Sequence, residues 1–372
     1  MRALLSVCMA VVGFVSANRL VVALRPWPAD YGLGAKVAHL AQHAGSYDVL
    51  LIGSSATYYG LRPRTIEAAL AARGQRARVF NLGVGGMGSY EQVYLLRWVL
   101  ERMRPKLVLY EEPRFDPLLW YPDVRNPRYI HWHDVAMTLE ALRGLAFVDA
   151  PPDYKAQDYA ATWHGDWKLA TALEHVELCA MRATALGDGP RIAARWLGLA
   201  APLRPTETEL EAESGWLDIG AEPDPGALRQ HERFRADRAS WDARVADIRA
   251  QNEGRVDLAV KFDQRAFEAL RALLDASGAQ VIWYATPRAV GDPTLATLAA
   301  SGALAPYLPD NRPEFAPELY DPDVRWDPNH LDAAGAERFS LRLAGDVADL
   351  LDTTRSRDEV QQEDAVQPAG GR

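Results

Sequence analysis

The sequence predicts an α/β fold with a central parallel sheet, because short apolar segments alternate with longer amphipathic ones. The apolar segments have the length and the Val, Ile and Leu content of strands that are buried on both faces. The amphipathic segments end in helix stop signals, such as Pro105 and Gly278. Strands that alternate with helices of this length form βαβ units, and such units build a parallel sheet.

The elements follow in a regular order in the first and last thirds of the chain. Strands are predicted at Val49–Ile52 and within ARVFN, KLVLYEEP and AQVIWYATP. Helices are predicted in LRPRTIEAALAARG, SYEQVYLLRWVLERMRP, KFDQRAFEALRALLDASG and DAAGAERFSLRLAGDVADLL. Pro63 lies near the start of the first of these helices, a position that proline favours.

The alternation stops between residues 114 and 255. This region is rich in Trp, Pro and acidic residues, has no regular strand signal, and contains two segments typical of helices, ATALEHVELCAMRATAL and DRASWDARVADIRAQ. A chain of 372 residues is long enough for one large domain with an insertion or for two smaller domains. We predict one domain over 45–352 with a largely helical insertion at 114–255. The polar tail, 353–372, lacks aromatic residues and is predicted to be disordered.

The first residues are typical of an export signal. Arg2 precedes an apolar run that ends in small residues, with Val15 and Ala17 placed for signal-peptidase cleavage. A second apolar patch follows, so residues 1–24 also have about the length of a membrane anchor. The sequence leaves both interpretations open, a cleaved signal peptide and an uncleaved anchor, and both place the domain outside the cytoplasm.

Composition argues against several function classes. The net charge of −9 and the lack of a basic stripe argue against a nucleic-acid partner. The chain has two cysteines, so neither a disulfide framework nor a cysteine-rich metal site is expected. The alternating histidines of HWHD, at 131–134, have no evident third ligand and are interpreted as part of a solvated strand. We expect no metal and no cofactor.

Polar residues cluster where the predicted strands end. Ser54 and Ser55 follow the first strand, and an Asn81-containing glycine loop follows the second. The later strand ends and the loop before the last helix add Glu111, Glu112, Arg114, Thr286, Arg288, Asp327 and His330. The carboxyl ends of parallel strands meet at one edge of a sheet, so these residues are predicted to share a cleft.

This set contains the parts that nucleophilic acyl transfer requires: a hydroxyl, a base, a carboxylate to orient the base, and oxyanion donors. Asp327 lies three residues before His330, so one loop can present both side chains. The backbone N–H groups of Gly86 and Ser55 are candidate oxyanion donors. The competing interpretation of Ser55 is a helix N-cap hydroxyl, and that of the glycines is a tight loop with positive φ.

These residues resemble the SGNH, or GDSL, hydrolases. IGSSATYYG resembles the first block of that family, FNLGVGGMGS the second and WDPNHLDAAG the last, in the family's order. The resemblance covers about residues 45–115 and 258–352. It implies a flavodoxin-like three-layer sandwich, with Ser55 as nucleophile, Asp327 as orienting acid, His330 as base and Gly86 as an oxyanion donor.

Two positions depart from the family pattern. Ser54 stands where the family has an Asp that supports the turn. The third block, Gly-x-Asn-Asp in the family, is replaced by YEEPRFDP, so the Asn that donates to the oxyanion is missing. Arg114 could supply that donor, or no third donor exists.

The resemblance implies serine-dependent acyl-ester chemistry, by an esterase or an O-acetyltransferase. The GSS variant, the NLGVGGMG loop and the apolar N-terminus look most like the membrane-tethered extracytoplasmic group of that family. The expected partners are an acyl donor, a cell-envelope glycan acceptor and a membrane acyltransferase. Two alternatives stay open: a non-catalytic envelope binding or assembly module, and a soluble lipase or thioesterase.

Overall fold

The computed structural model describes most of the chain. The described residues are 2–23, 27–113, 115, 127–145, 167–184, 189–199, 203–221, 225–255, 258 and 263–366.

Five parallel strands form a single open sheet in the order β2-β1-β3-β4-β5. The strands are β1 (Val49–Ile52), β2 (Val79–Asn81), β3 (Leu107–Glu111), β4 (Gln280–Tyr284) and β5 (Tyr307–Leu308). The four predicted strands are confirmed. The sequence analysis missed β5, because two residues next to Pro306 are too few to show a strand pattern.

Helices lie before, between and after the strands. Those outside the insertion are α1 (Arg2–Ala23), α2 (Leu33–Gln42), α3 (Ser55–Gly60), α4 (Pro63–Ala72), α5 (Ser89–Leu100), α13 (Gln264–Ser277), α14 (Pro293–Ala300) and α15 (Ala333–Val366). Those within it are α6 (Pro127–Trp132), α7 (Val135–Gly144), α8 (Trp167–Thr184), α9 (Gly189–Trp196), α10 (Glu207–Glu213), α11 (Pro225–Ala236) and α12 (Arg238–Glu253). The described part of 114–255 is therefore largely helical, as predicted.

Successive residues of β1 point into two different hydrophobic cores. Leu50 and Ile52 pack in a core with apolar residues of α2, α5, α13 and α14. Val49 and Leu51 pack in a second core with residues of α4, α12 and α15. The sheet is therefore covered on both faces, which is the predicted three-layer α/β sandwich and explains why its strands are apolar throughout.

The last helix extends into the segment 353–372, for which the sequence predicts disorder. It continues to Val366. The residues beyond 353 are mostly Arg, Glu, Gln, Asp and Ala, and several of these are good helix formers. A polar composition is shared by solvated helices and disordered tails, so composition alone could not separate them.

The N-terminal segment is the helix α1, and many of its large apolar side chains are exposed. It contacts α8 of the insertion, where the Asn18 side-chain amide donates a hydrogen bond to the carbonyl oxygen of Ala183. No helix in the described part of the chain is both long and apolar enough to cross a membrane.

The strand order reverses direction between β1 and β3. From β1 the chain adds β2 on one side, and then β3, β4 and β5 on the other. In open parallel sheets, ligands bind at the carboxyl ends of the strands on either side of such a reversal. The loops that follow β1 and β3 contain Ser54, Ser55 and Glu112, so the fold brings the predicted cluster to this position.

Candidate active site

The two serines after β1 have different local roles. Ser54 is the N-cap of α3, and its Oγ accepts a hydrogen bond from the N–H of Ala56 at 3.3 Å. Ser55 is the first helical residue, and its Oγ lies 2.8 Å from His330 Nε2. The capping function that competed with the chemical interpretation of Ser55 therefore belongs to Ser54.

Asp327, His330 and Ser55 form one continuous chain of contacts. His330 Nδ1 lies 2.8 Å from Asp327 Oδ2, on the opposite side of the ring from Ser55. An ionised carboxylate can only accept, so Nδ1 carries the proton and donates to Asp327. That tautomer leaves the Nε2 lone pair free to accept from the Ser55 hydroxyl.

The loop that presents Asp327 and His330 is held by its own backbone. Asp327 Oδ1 accepts hydrogen bonds from the N–H of Asn329 at 2.7 Å and of His330 at 2.9 Å. Burial on its own raises the pKa of Asp327, but the hydrogen bonds from the His330 ring and from these two N–H groups outweigh it and hold the pKa below its ordinary value. Asp327 is therefore the anion that the proposed tautomer requires.

Arg325 anchors this loop from below and was not singled out by the sequence analysis. Its guanidinium is fully buried and donates to the carbonyl oxygens of Leu319, Pro287 and Pro328 at 2.7, 2.8 and 2.9 Å. It also lies over the ring of Trp241, 4.8 Å from the centroid. Burial lowers the pKa of Arg325 to about 10, so the side chain remains a cation at neutral pH.

Glu111 lies beneath the turn that follows β1. Its Oε2 accepts from the Ser54 N–H at 2.6 Å and from Thr57 Oγ1 at 2.5 Å, and its Oε1 accepts from Ser54 Oγ at 2.9 Å. The Arg288 guanidinium from the loop after β4 contacts the same Oε1. One buried carboxylate therefore joins the ends of β1, β3 and β4.

Gly53 makes this contact possible. A Cβ at this position would lie 2.1 Å from both Glu111 Oε2 and Thr57 Oγ1. Only glycine lets the carboxylate reach the backbone of the turn. The neighbouring Glu112 accepts from the N–H of Thr286 at 3.0 Å, and its Oε1 lies 4.0 Å from Arg288 Nε.

The glycine loop after β2 runs beside the turn. Asn81 is fully buried, donates to the carbonyl oxygens of Thr57 and Leu61 at 2.8 Å each, and accepts from the Gly83 N–H at 2.8 Å. Gly86 has φ of +64°, a conformation that favours glycine. Within the described part of the chain, the N–H of Gly86 has no hydrogen-bond acceptor, which leaves it available to a ligand.

Two basic side chains donate hydrogen bonds to the carbonyl groups of this loop. Lys36 Nζ donates to the carbonyl oxygen of Gly83 at 2.6 Å, and Arg128 donates to those of Gly85 at 2.6 Å and Gly86 at 2.9 Å. Arg128 Nε also lies 2.8 Å from Oε1 of the buried Glu91 carboxyl group, whose pKa burial raises to about 7. Because these carbonyl oxygens already accept hydrogen bonds from side chains, the N–H groups of the loop are the groups suited to stabilise a negative charge on a ligand.

A cavity of about 560 Å³ opens above the serine. Its lining includes Ser55, Gly86, Asp327 and His330. The other lining residues come partly from the α/β core and partly from the insertion. The core contributes Ala29, Tyr31, Gly32, Tyr58, Tyr59 and Gly85; the insertion contributes Arg204, Pro205, Glu209, Leu217, Asp218, Ile219, Ala221, Ala227 and Gln230.

The insertion is docked directly on the site residues. Trp216 Nε1 donates to the carbonyl oxygen of Tyr59 at 2.8 Å, and the Asn81 N–H donates to that of Ser214 at 2.8 Å. His231 stacks on Trp326, with ring centroids 4.1 Å apart, next to the Asp327 loop. The insertion therefore forms one wall of the cavity, a function that its sequence did not indicate.

Two further predictions from the sequence concern Arg114 and the HWHD segment. Arg114, the candidate third oxyanion donor, lies outside the described residues. The interpretation of HWHD as a solvated strand is wrong, because His131 belongs to α6 and His133 is fully buried with its Nε2 2.8 Å from His175 Nδ1. Burial lowers the pKa of His133 to about 4, so His133 is neutral at physiological pH.

Comparison with known proteins does not identify the chain: no protein-family model matches it, and neither does any curated protein sequence. The chemistry of the cavity has to be inferred from its own residues.

The contact between Glu111 and Arg288 gives a test of the turn's support. Replacing one member removes the main ion-pair partner of a buried charge, so Glu111→Gln and Arg288→Gln should each lower the free energy of unfolding by up to about 3–5 kcal/mol. Glu111→Gln should have the smaller effect, because Arg288 Nε keeps a second carboxylate, Glu112 Oε1, at 4.0 Å. The double variant should lose less than the sum of the two, by about 1–3 kcal/mol. Denaturant unfolding of the four proteins measures this coupling.

The half-exposed pair of Arg62 and Glu337, 2.9 Å apart, serves as the matched control for this cycle. Its coupling should stay below about 1 kcal/mol, as is usual for surface ion pairs. Additive losses at Glu111 and Arg288 would contradict the pairing.

Proposed function

We propose that this protein carries out serine-dependent acyl-ester chemistry, as an O-acyltransferase or esterase that acts on a cell-envelope glycan. The observation that carries the proposal is the chain of contacts from Ser55 through His330 to Asp327, 2.8 Å at each step, at the wall of a cavity of about 560 Å³. The sequence motifs assign the same roles to these three residues.

The first half-reaction acylates the serine. Ser55 Oγ attacks the carbonyl carbon of an acyl ester and transfers its proton to His330 Nε2, and Asp327 stabilises the resulting imidazolium. The N–H groups of Ser55 and Gly86 bind the oxyanion of the tetrahedral intermediate. Its collapse breaks the bond to the donor alcohol, which leaves with the proton from His330.

The second half-reaction removes the acyl group. An acceptor hydroxyl, from a sugar or from water, gives its proton to His330 Nε2 and attacks the acyl carbonyl. Collapse of this intermediate breaks the bond to Ser55 Oγ, which regains its proton from His330. Every proton transfer in the cycle uses the same imidazole nitrogen.

The oxyanion site in this proposal has two backbone donors. As the first residue of α3, Ser55 has an N–H without an intrahelical partner. Glu111 and Glu112 occupy the region of the family's third block, where the resemblance leads one to expect an Asn donor. Loss of one oxyanion donor costs about 3–4 kcal/mol in a studied enzyme, so we expect slow chemistry.

The lining of the cavity supports a polyhydroxylated acceptor. Asp218 and Gln230 offer hydrogen-bonding groups that match sugar hydroxyls, and Tyr31, which is 57% exposed, offers an aromatic face for the C–H side of a sugar ring. Arg204 forms an ion pair with Glu209 at 3.0 Å. Its positive charge is therefore compensated by Glu209, and this part of the wall does not favour an anionic substrate.

A location outside the cytoplasm is part of the proposal. Arg2, the apolar run after it and the exposed apolar side chains of α1 support a signal peptide or an anchor. The resemblance of the three motif blocks to the SGNH hydrolases, and to their membrane-tethered O-acetyltransferase-like group, supports an acyl donor delivered by a membrane acyltransferase.

Reaction with a fluorophosphonate tests the nucleophile. Wild-type protein should be labelled on Ser55, because His330 Nε2 activates this hydroxyl, and Ser55→Ala should not be labelled. Peptide mapping by mass spectrometry locates the adduct. Ser54→Ala is the matched control and should keep the label at Ser55. An adduct on Ser54 would contradict the assignment of Ser55 as the nucleophile, and no adduct on folded wild-type protein would favour the non-catalytic module.

Turnover of nitrophenyl acetate separates transfer from hydrolysis. We expect slow release of nitrophenol in water and faster release with an oligosaccharide acceptor, because the cavity wall is suited to hold a sugar hydroxyl near the acyl-serine. Mass analysis of the sugar should show an added acetyl group, and Ser55→Ala gives the background rate. Fast hydrolysis without sugar acetylation would identify a plain esterase instead.

A reporter enzyme fused after residue 30 tests the location. A reporter that is active only after export should be active in this fusion, since Arg2 and the apolar run precede it. The control changes Val12 to Asp, which places a charge within the run and should reduce export. Retention of the unmodified fusion in the cytoplasm would show that the segment is not an export signal.

A further inference from the structure

A cluster of metal-binding side chains lies outside the cavity, where α10 of the insertion meets α2. His39 and His43 are four residues apart at the end of α2, and Glu207 is the first residue of α10. Their ligand atoms all lie within 4.8 Å of one another. His39 Nδ1 is 2.5 Å from Glu207 Oε1, and His43 Nδ1 is 3.8 Å from the same oxygen.

We propose that His39, His43 and Glu207 bind a zinc-class divalent cation at the contact between α2 and α10. Two imidazoles and one carboxylate form a ligand set that Zn²⁺ uses when it keeps an open position for water. The spacing of four residues places both imidazoles on the same side of α2. This proposal is independent of the acyl chemistry, because none of the three residues lines the cavity.

The surroundings of His39 are those of a metal ligand. Its ring is almost fully buried and stacks on Phe80, with an angle of 9° between the ring planes. Its Nε2 lies 2.7 Å from the hydroxyl of Tyr47. A metal-binding histidine usually donates its second ring N–H to such a partner, which fixes the tautomer that directs the other nitrogen to the metal.

The other two ligands leave room for the open position. The side chains of His43 and Glu207 are 37% and 47% exposed. His43 Nδ1 lies 3.0 Å from the carbonyl oxygen of His39, and a bound cation would take the place of that contact. Without metal, the short contact between His39 and Glu207 is a hydrogen bond that needs a proton on Nδ1, and the cation takes the place of this proton as well.

The position of Glu207 gives the cation a structural consequence. Arg204, Pro205 and Glu209, which surround it in the chain, line the active-site cavity. A cation bound to Glu207, to His39 of α2 and to His43 at the end of α2 would hold this part of the cavity wall against the core. The cation would therefore have a structural role, and the proposed acyl chemistry would not use it.

Titration of the full chain, purified in detergent and freed of metal by a chelator, tests the proposal. Isothermal calorimetry with Zn²⁺ should show one site per chain, and Co²⁺ should give the intense visible absorption of a tetrahedral centre. His43→Ala and Glu207→Gln should each weaken Zn²⁺ binding at least about tenfold, since even the loss of an outer-shell partner has an effect of that size. Both residues are half-exposed, so these variants should fold.

Glu211→Gln is the matched control, because Glu211 is exposed on the same helix and does not belong to the cluster. It should bind Zn²⁺ as the wild type does. Hydrogen exchange of residues 203–213 should slow when Zn²⁺ is added to the wild type and stay unchanged in Glu207→Gln. Absence of one-site binding, or wild-type affinity in both ligand variants, would show that the cluster is a histidine–carboxylate hydrogen bond only.

Discussion

The site depends on one buried carboxylate. Glu111 at the end of β3 accepts hydrogen bonds from the backbone and side chain of Ser54 and from Thr57, and it contacts Arg288 after β4. These bonds set the turn that places Ser55 opposite His330. A buried carboxylate is costly unless it is paired and hydrogen-bonded, and these contacts supply both. Gly53 is part of the same constraint, because no side chain fits between the turn and Glu111.

Two further buried cations hold the elements around this turn. Arg325 binds three carbonyl groups under the loop of Asp327 and His330, and Arg128 binds the carbonyl groups of Gly85 and Gly86. In both places a guanidinium satisfies backbone oxygens that an irregular loop leaves without partners. The loops at the carboxyl edge of the sheet are therefore rigid at the positions where the proposed chemistry needs fixed geometry.

The structure brings together three residues that the sequence motifs had grouped, and it gives the region of the third motif block a structural role. The sequence motifs assign Ser55, Asp327 and His330 their roles, and the structure brings them within hydrogen-bond distance. The motifs also left a gap, since the third block has no Asn. In the structure Glu111 and Glu112 occupy that region as supports, with their carboxylates bound to the turn and to Thr286. The sequence alone could not separate a support from a degraded catalytic block.

The sequence by itself determined the alternation of strands and helices, the edge of the sheet where polar residues collect, and the Asp327–His330 loop. These features follow from local patterns: apolar runs, stop signals, and a spacing of three residues. Only the tertiary structure decided which serine caps α3 and which residues of the insertion line the cavity. The same is true of the contact among His39, His43 and Glu207. These contacts join residues far apart in the chain, such as Ser55 and His330 at a separation of 275. Their geometry follows from the packing of whole elements, which a local pattern does not contain.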